Sequence, residues 1–311
     1  MNDIVFATCI YDDLHSTEFA GRQNRGTHYV FSLAQIHNLG VPIYCFTDKA
    51  NFQRYFPALN WHGTDNFKFI SYNLNESPYH NKILEIKTNN PQVYVDGLAW
   101  RQRCVEIMWA KFDWLIYVLE DNGAPHANDK FTFWIDGGLS HEGVLPKKYN
   151  SHRDGTHQYP TPAAEYHHRF AIDKIFNNNL PKYLLDYMGD SDLMAFLCNQ
   201  PQHNDQHDLP KISNKYVGTV AGGLFGGRNA AVYDLALECK EICRQLLDSN
   251  CLLKEEDIIT YVVNTRCAQD ESYVDKIKLF TFKTWYHEDW SVYREGDTSF
   301  SDFFKGMIGE Q

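Results

Sequence analysis

A chain of 311 residues with 43% hydrophobic and 15% aromatic side chains can bury the core of one large α/β domain, and its formal net charge of −11 works against binding a nucleic-acid backbone. No stretch approaches the charge-free apolar run of a membrane span, and the start, Met1 to Cys9, is strand-like and lacks the basic region and cleavage site of a secretory signal. The expected location is therefore the cytoplasm, with peripheral contact at the inner face of a membrane allowed. The eight cysteines include no Cys-x-x-Cys pair and read as reduced, packed thiols rather than a zinc site.

In chain order, Ile4 to Ile10 reads as a first strand, followed by a polar loop from Tyr11 to Gly26 that carries Arg22 and Arg25. A helix is expected from about Thr27 to Asn38, ended by Gly40, and Val41 to Phe46 makes a second buried strand stopped by Thr47 and Asp48. Phe67 to Tyr72 is the third candidate strand. The spacing of Cys104, Ile107, Met108, Lys111 and Leu115 predicts a helix over Trp100 to about Glu120, and Phe131 to Ile135 is the fourth strand.

From Lys147 to about Lys215 the chain turns polar, with histidines, asparagines and prolines, and short helices are expected at Ala163–Phe176 and Leu180–Tyr187. This stretch reads as an insertion covering a site, because long loops in compact domains are usually functional or mobile. Order returns with a strand from Tyr216 to Val220, a glycine-rich loop from Gly222 to Gly227 and a helix from about Asn229 to Ser249. A further helix from about Glu255 to Val263 and a strand from Ile277 to Phe282 follow.

Four features carry chemistry. Asp136 is delivered at the end of a strand-forming run with Gly137 and Gly138 behind it. Such a carboxylate can hold a divalent cation or a ribose hydroxyl, or simply cap a turn. Gly222-Gly-Leu-Phe-Gly-Gly227 can bring backbone amides close to a sugar or phosphate, or can be a tight strand-to-helix connection. Glu255-Glu-Asp257 opens a helix, where acids either complement the helix dipole or act on a proton or a cationic sugar transition state. His287, set among Trp285, Tyr286 and Trp290, is a candidate metal or diphosphate contact, or a structural histidine.

The order Asp136-Gly-Gly138, Gly222–Gly227, Glu255–Asp257, His287 resembles glycosyltransferases of the GT-A fold. The glycine-rich segment with its following helix and acids is similar to the ABO blood-group transferase family, and Trp134-Ile-Asp-Gly-Gly138 to bacterial HtrL-type proteins. The resemblance implies a Rossmann-related mixed sheet flanked by helices, in a single α/β domain with a polar insertion. Residues 1–146 would be its nucleotide-sugar half, 147–215 its acceptor-side insertion and 216–311 its acceptor and catalytic half.

It also implies roles. Thr8, Cys9 and Tyr11 would hold base and ribose. Arg25 and Lys111 would share the diphosphate charge, with Asp136, Gly137 and Gly138 beside the donor. Gly222, Gly223, Leu224 and Phe225 would face the acceptor sugar. Glu256 or Asp257 would be catalytic, the first if the anomer is retained and the second if it is inverted. Asp136 and His287 would hold Mn²⁺ or Mg²⁺. The expected activity is transfer of a sugar, from a donor expected to be UDP-linked, to a glycan or glycolipid acceptor in bacterial-type surface polysaccharide synthesis. Gly138 stands where the family pattern has a second Asp, which puts direct metal ligation in question. The alternatives are a nucleotidyltransferase, weakened by the absence of lysine from the Arg22–Arg25 loop, and an inactive sugar-binding relative.

Overall fold

The computed structural model describes residues 3–11, 33, 36–90, 102–137, 179–197 and 220–281. Strands β1 (Ile4–Cys9), β2 (Ile43–Thr47), β3 (Phe67–Ser71), β4 (Phe131–Ile135), β5 (Leu193–Leu197), β6 (Val220–Arg228) and β7 (Ile277–Thr281) form one sheet in the order β3-β2-β1-β4-β6-β5-β7. All described neighbours pair in parallel except β6, which runs antiparallel to both β4 and β5. Among the described residues six α-helices accompany the sheet: α1 (Lys49–His62), α2 (His80–Asn89), α3 (Gln102–Asp121), α4 (Leu180–Met188), α5 (Asn229–Asp248) and α6 (Glu255–Gln269).

Alternation along the strands divides the core into two layers, as it must in a sheet covered on both faces. Ala7, Tyr44, Phe46, Trp134, Leu193 and Phe225 point into one layer with α2, α3, α5 and α6. Phe6, Ile43, Cys45, Phe133, Ile135, Met194 and Leu224 point into the other, against Leu59 of α1 and Leu180, Leu184 and Met188 of α4. The α/β expectation holds in this mixed, helix-flanked sheet. No described helix is long and apolar enough to cross a membrane.

Two expectations are corrected and a third is extended. The glycine-rich segment is not a loop: Gly222–Gly227 lies inside β6, with Gly226 opposite Phe133 of β4 and Met194 of β5. Residues 193–197, read as part of a surface insertion, form β5 between β6 and β7, because Leu193 to Ala195 is a short run buried on both faces of the sheet. Asp48 does more than end a strand. It caps α1, its carboxylate accepting from the Asn51 amide (2.7 Å).

The helix expected over Thr27–Asn38 lies mostly outside the described residues, which retain only Leu33, Ile36 and the 3-10 turn His37–Leu39. The helix expected at Ala163–Phe176 lies outside them altogether.

Candidate functional site

The run β3-β2-β1-β4 has the order of a doubly wound sheet, in which connections leave β1 and β4 in opposite directions and open a crevice at their carboxyl ends. Asp136 follows β4 directly and Cys9 ends β1, so both sit at this switch point. The two chains approach closely: a Cβ on Gly137 would stand 2.6 Å from the Cys9 carbonyl oxygen, which only glycine avoids. Because β6 is antiparallel, its beginning lies at the same edge. The Asp136 amide donates to the Gly223 carbonyl (2.8 Å).

Lys111, from the middle of α3, reaches this edge with a sealed ammonium. It donates to Glu255 Oε1 (2.5 Å) and to the Gly222 carbonyl (3.1 Å), and lies 3.0 Å from Asp136 Oδ1. The Trp134 indole Nε1–H also donates to Asp136 Oδ1 (2.7 Å), and the ammonium rests 5.2 Å from the centroid of that ring. Lys111 and Glu255 side chains are only 4% and 6% exposed, whereas Asp136 is 38% exposed. The aspartate is thus the outward member of a buried cluster. Its Oδ1 is held by two donors, and Oδ2 has no partner among the described residues.

Burial lowers the proton affinity of Lys111, but Asp136 and Glu255 more than offset it and hold the ammonium above the ordinary lysine range. Burial, followed by the Asp136 charge, pushes the Cys9 thiol well up, so it stands here as a neutral group and not as a nucleophile.

The first turn of α6 brings two more acids to this edge. Its three leading residues suit a helix N-terminus, and Lys254 before them offers no side-chain cap. Glu255 is spent on Lys111. Glu256 Oε1 accepts from the Gly222 amide (3.1 Å), so neighbouring carboxylates flank one glycine, and a Cβ there would overlap the Glu255 carboxylate. Burial, then the Glu255 charge, raises Glu256 to about 7. Asp257 sits partly exposed in the same turn.

That shift has a sign. Glu256 holds its proton more tightly folded than unfolded, so its contribution to stability is present below the ordinary glutamate range and is lost as pH rises through about 7. Glu256→Gln should therefore raise the melting temperature by a few degrees at pH 8 and by much less at pH 5. Parallel melts at the two pH values check this, and an equal effect at both would contradict it.

Other expected site residues go elsewhere. Tyr11 is buried, donates its hydroxyl to the Tyr72 carbonyl (2.7 Å) and stacks on Trp114 with centroids 5.8 Å apart. Leu224 and Phe225 are buried in opposite core layers. The expectation that these three side chains meet donor or acceptor is corrected, because the core already occupies their surfaces. Thr8 is fully buried, and its hydroxyl has no partner among the described residues. Lys111 lies beside Asp136, with three protein acceptors for its three protons: Glu255, Asp136 and the Gly222 carbonyl.

Arg25, Gly138 and His287 lie outside the described residues. Sequence reasoning grouped Glu255 with the acids of the helix start without giving it a role, and missed Trp134 as a site member. A charged Lys111 within the apolar stripe of α3 was the available signal, since a buried ammonium requires a buried anion.

Mn²⁺ or Mg²⁺ can be tested against this donor set. Among the described residues no three His, Cys, Asp or Glu side chains converge as metal ligands. One open carboxylate oxygen suits a hard cation held mainly by substrate phosphates and water, and does not suit a protein-built cage.

No protein-family model matches the chain, and no curated protein is significantly similar to it, so the likeness to the ABO and HtrL-type families finds no match of that kind. Similar solved structures include mouse xyloside xylosyltransferase 1 in its apo form, 11% identical over 98% of this chain and 92% of that one, with a TM-score of 0.38. They also include the galactosyltransferase LgtC in complex with donor and acceptor sugar analogues, 11% identical over 98% of this chain and 95% of that one, with a TM-score of 0.40. Likenesses this distant are too weak to assign an activity to this chain.

Proposed function

We propose that the protein is a glycosyltransferase that takes a sugar from a nucleotide-sugar donor, expected to be UDP-linked, and passes it to a glycan or glycolipid acceptor. The observation that carries this reading is Asp136: a carboxylate 38% exposed at the switch point, with Oδ1 held by Lys111 and Trp134 and Oδ2 without a partner among the described residues. The motif order read from the sequence supports it. Building a bacterial-type surface polysaccharide from the cytoplasmic side is the setting that fits this chemistry.

In this reading Asp136 orients the donor at ribose or through a cation, with His287 as the second candidate ligand. Mn²⁺ or Mg²⁺, when bound, would neutralise the charge that develops on the leaving diphosphate. Glu256 carries a proton near neutral pH and accepts the Gly222 N–H at Oε1, which leaves Oε2 as the atom that holds or releases that proton. Asp257 is the rival carboxylate. An acceptor-side role for the polar region 147–215 belongs to the same proposal.

A thermal-shift panel of nucleotide sugars with Mn²⁺ tests this reading. A ligand that binds only the folded state raises its stability, by about 2.7 kcal/mol at a hundredfold excess over Kd. At least one donor should raise the melting temperature of the wild type and fail to do so for Asp136→Asn. No shift from any nucleotide sugar would overturn the reading.

A binding module without turnover is the second reading, favoured by one observation: Lys111 already neutralises part of the Asp136 charge. Donor hydrolysis with and without metal separates the two.

A further inference from the structure

We propose that Glu255 is a positioning residue: it anchors Lys111 so that the lysine pins Asp136 Oδ1 and leaves Oδ2 facing outward. The inference rests on the reading of Asp136 as the donor-facing carboxylate, and it adds a residue that touches no ligand.

A lysine side chain is long and flexible, and an ammonium free to choose would turn to water. Here it is sealed, and its closest acceptor is Glu255 at 2.5 Å, against 3.0 Å to Asp136 and 3.1 Å to the Gly222 carbonyl. The anchor is therefore the glutamate, and the aspartate is what the anchored group reaches. Room for it exists because residue 222 has no Cβ, which would overlap the Glu255 carboxylate. Trp134 completes the clamp from the other side through its bond to Asp136 Oδ1 (2.7 Å).

Stability alone gives no reason for this arrangement. Glu255 Oε2 is buried and has no hydrogen-bond partner among the described residues, and a buried ion pair can often be replaced by apolar side chains without loss of stability. Complementing the helix dipole does not require burial either, since exposed acids in a first helical turn also do so.

The test uses Glu255→Gln and the double variant Lys111→Met with Glu255→Met, each crystallised and assayed beside the wild type for hydrolysis of nucleotide sugars. The double variant should fold and melt at or near the wild-type temperature, because the buried pair is replaced as a unit. Asp136 should leave its side-chain position and its bond to Trp134. Its kcat should fall at least about tenfold while donor KM changes by less than about threefold, the signature of lost orientation rather than lost binding. Glu255→Gln, which keeps an oxygen for Lys111 but no charge, should show a smaller displacement and a smaller loss of kcat.

Asp136 found at its wild-type position in both variants would overturn the inference, as would unchanged kcat in both. Should the double variant fail to fold, Glu255→Gln decides by the same two readouts. A wild-type protein that hydrolyses no nucleotide sugar would remove the glycosyltransferase reading, and the position of Asp136 in the crystals would still decide the role of Glu255.

Discussion

Asp136→Asn is expected to lower sugar transfer by at least about 100-fold while leaving the melting temperature close to that of the wild type. The amide keeps the shape of the side chain and an oxygen to accept from the Trp134 indole and from Lys111, so the clamp on Oδ1 survives. The charge is what it loses. Oδ2 can then no longer oppose a cation, and Lys111 retains Glu255 as its remaining anion. Initial rates at saturating donor and Mn²⁺, paired with a circular-dichroism melt, check both halves of the expectation. Near-normal turnover in a folded variant would take Asp136 out of the chemistry.

Gly226→Ala and Gly227→Ala should each destabilise the protein by about 3 kcal/mol or more, among the largest effects expected of single substitutions. A Cβ at Gly226 would overlap the Thr132 carbonyl oxygen and stand 2.6 Å from Phe133 Cα. One at Gly227 would overlap the Asp192 carbonyl oxygen and stand 2.9 Å from Leu193 Cα. These are backbone atoms of the flanking β4 and β5 regions and cannot swing aside as a side chain would. Denaturant titration measures the loss, and wild-type midpoints would show that the sheet can open enough to admit a methyl group. The glycines are thus placed by strand packing at this end of the motif, and by the Asp136 cluster at its other end, where Gly222 and Gly223 lie.

The difference between those two ends explains what could be read from the sequence. β1 to β4 were legible because each is a short apolar run stopped by polar residues, and the carboxyl-terminal position of Asp136 followed from that pattern alone. β6 was not, since four glycines in nine residues argue against a strand, and the close approach they permit is visible only from the neighbours. β5 was hidden by its polar flanks. α1 went unread: it contains Pro57, which suits a helix interior poorly, and Asp48, which caps it, was read only as the stop of a strand.

At the site, the acids of α6 were recognisable as a group, but their division of labour was not. Glu255 and Lys111 are 144 residues apart, and only the packing of α3 against β1 and β4 and of α6 against β6 brings them together. Tyr11, Leu224 and Phe225 misled for another reason: they lie close in sequence to Cys9 and Gly223, but the sheet is covered on both faces and their side chains fill the core.

The most direct test of the central claim is release of nucleoside diphosphate from a panel of nucleotide sugars, measured for the folded wild type and for Asp136→Asn with Mn²⁺ present. The account predicts release from at least one donor by the wild type and its loss in the variant. Release from none, or equal release by both proteins, would contradict it.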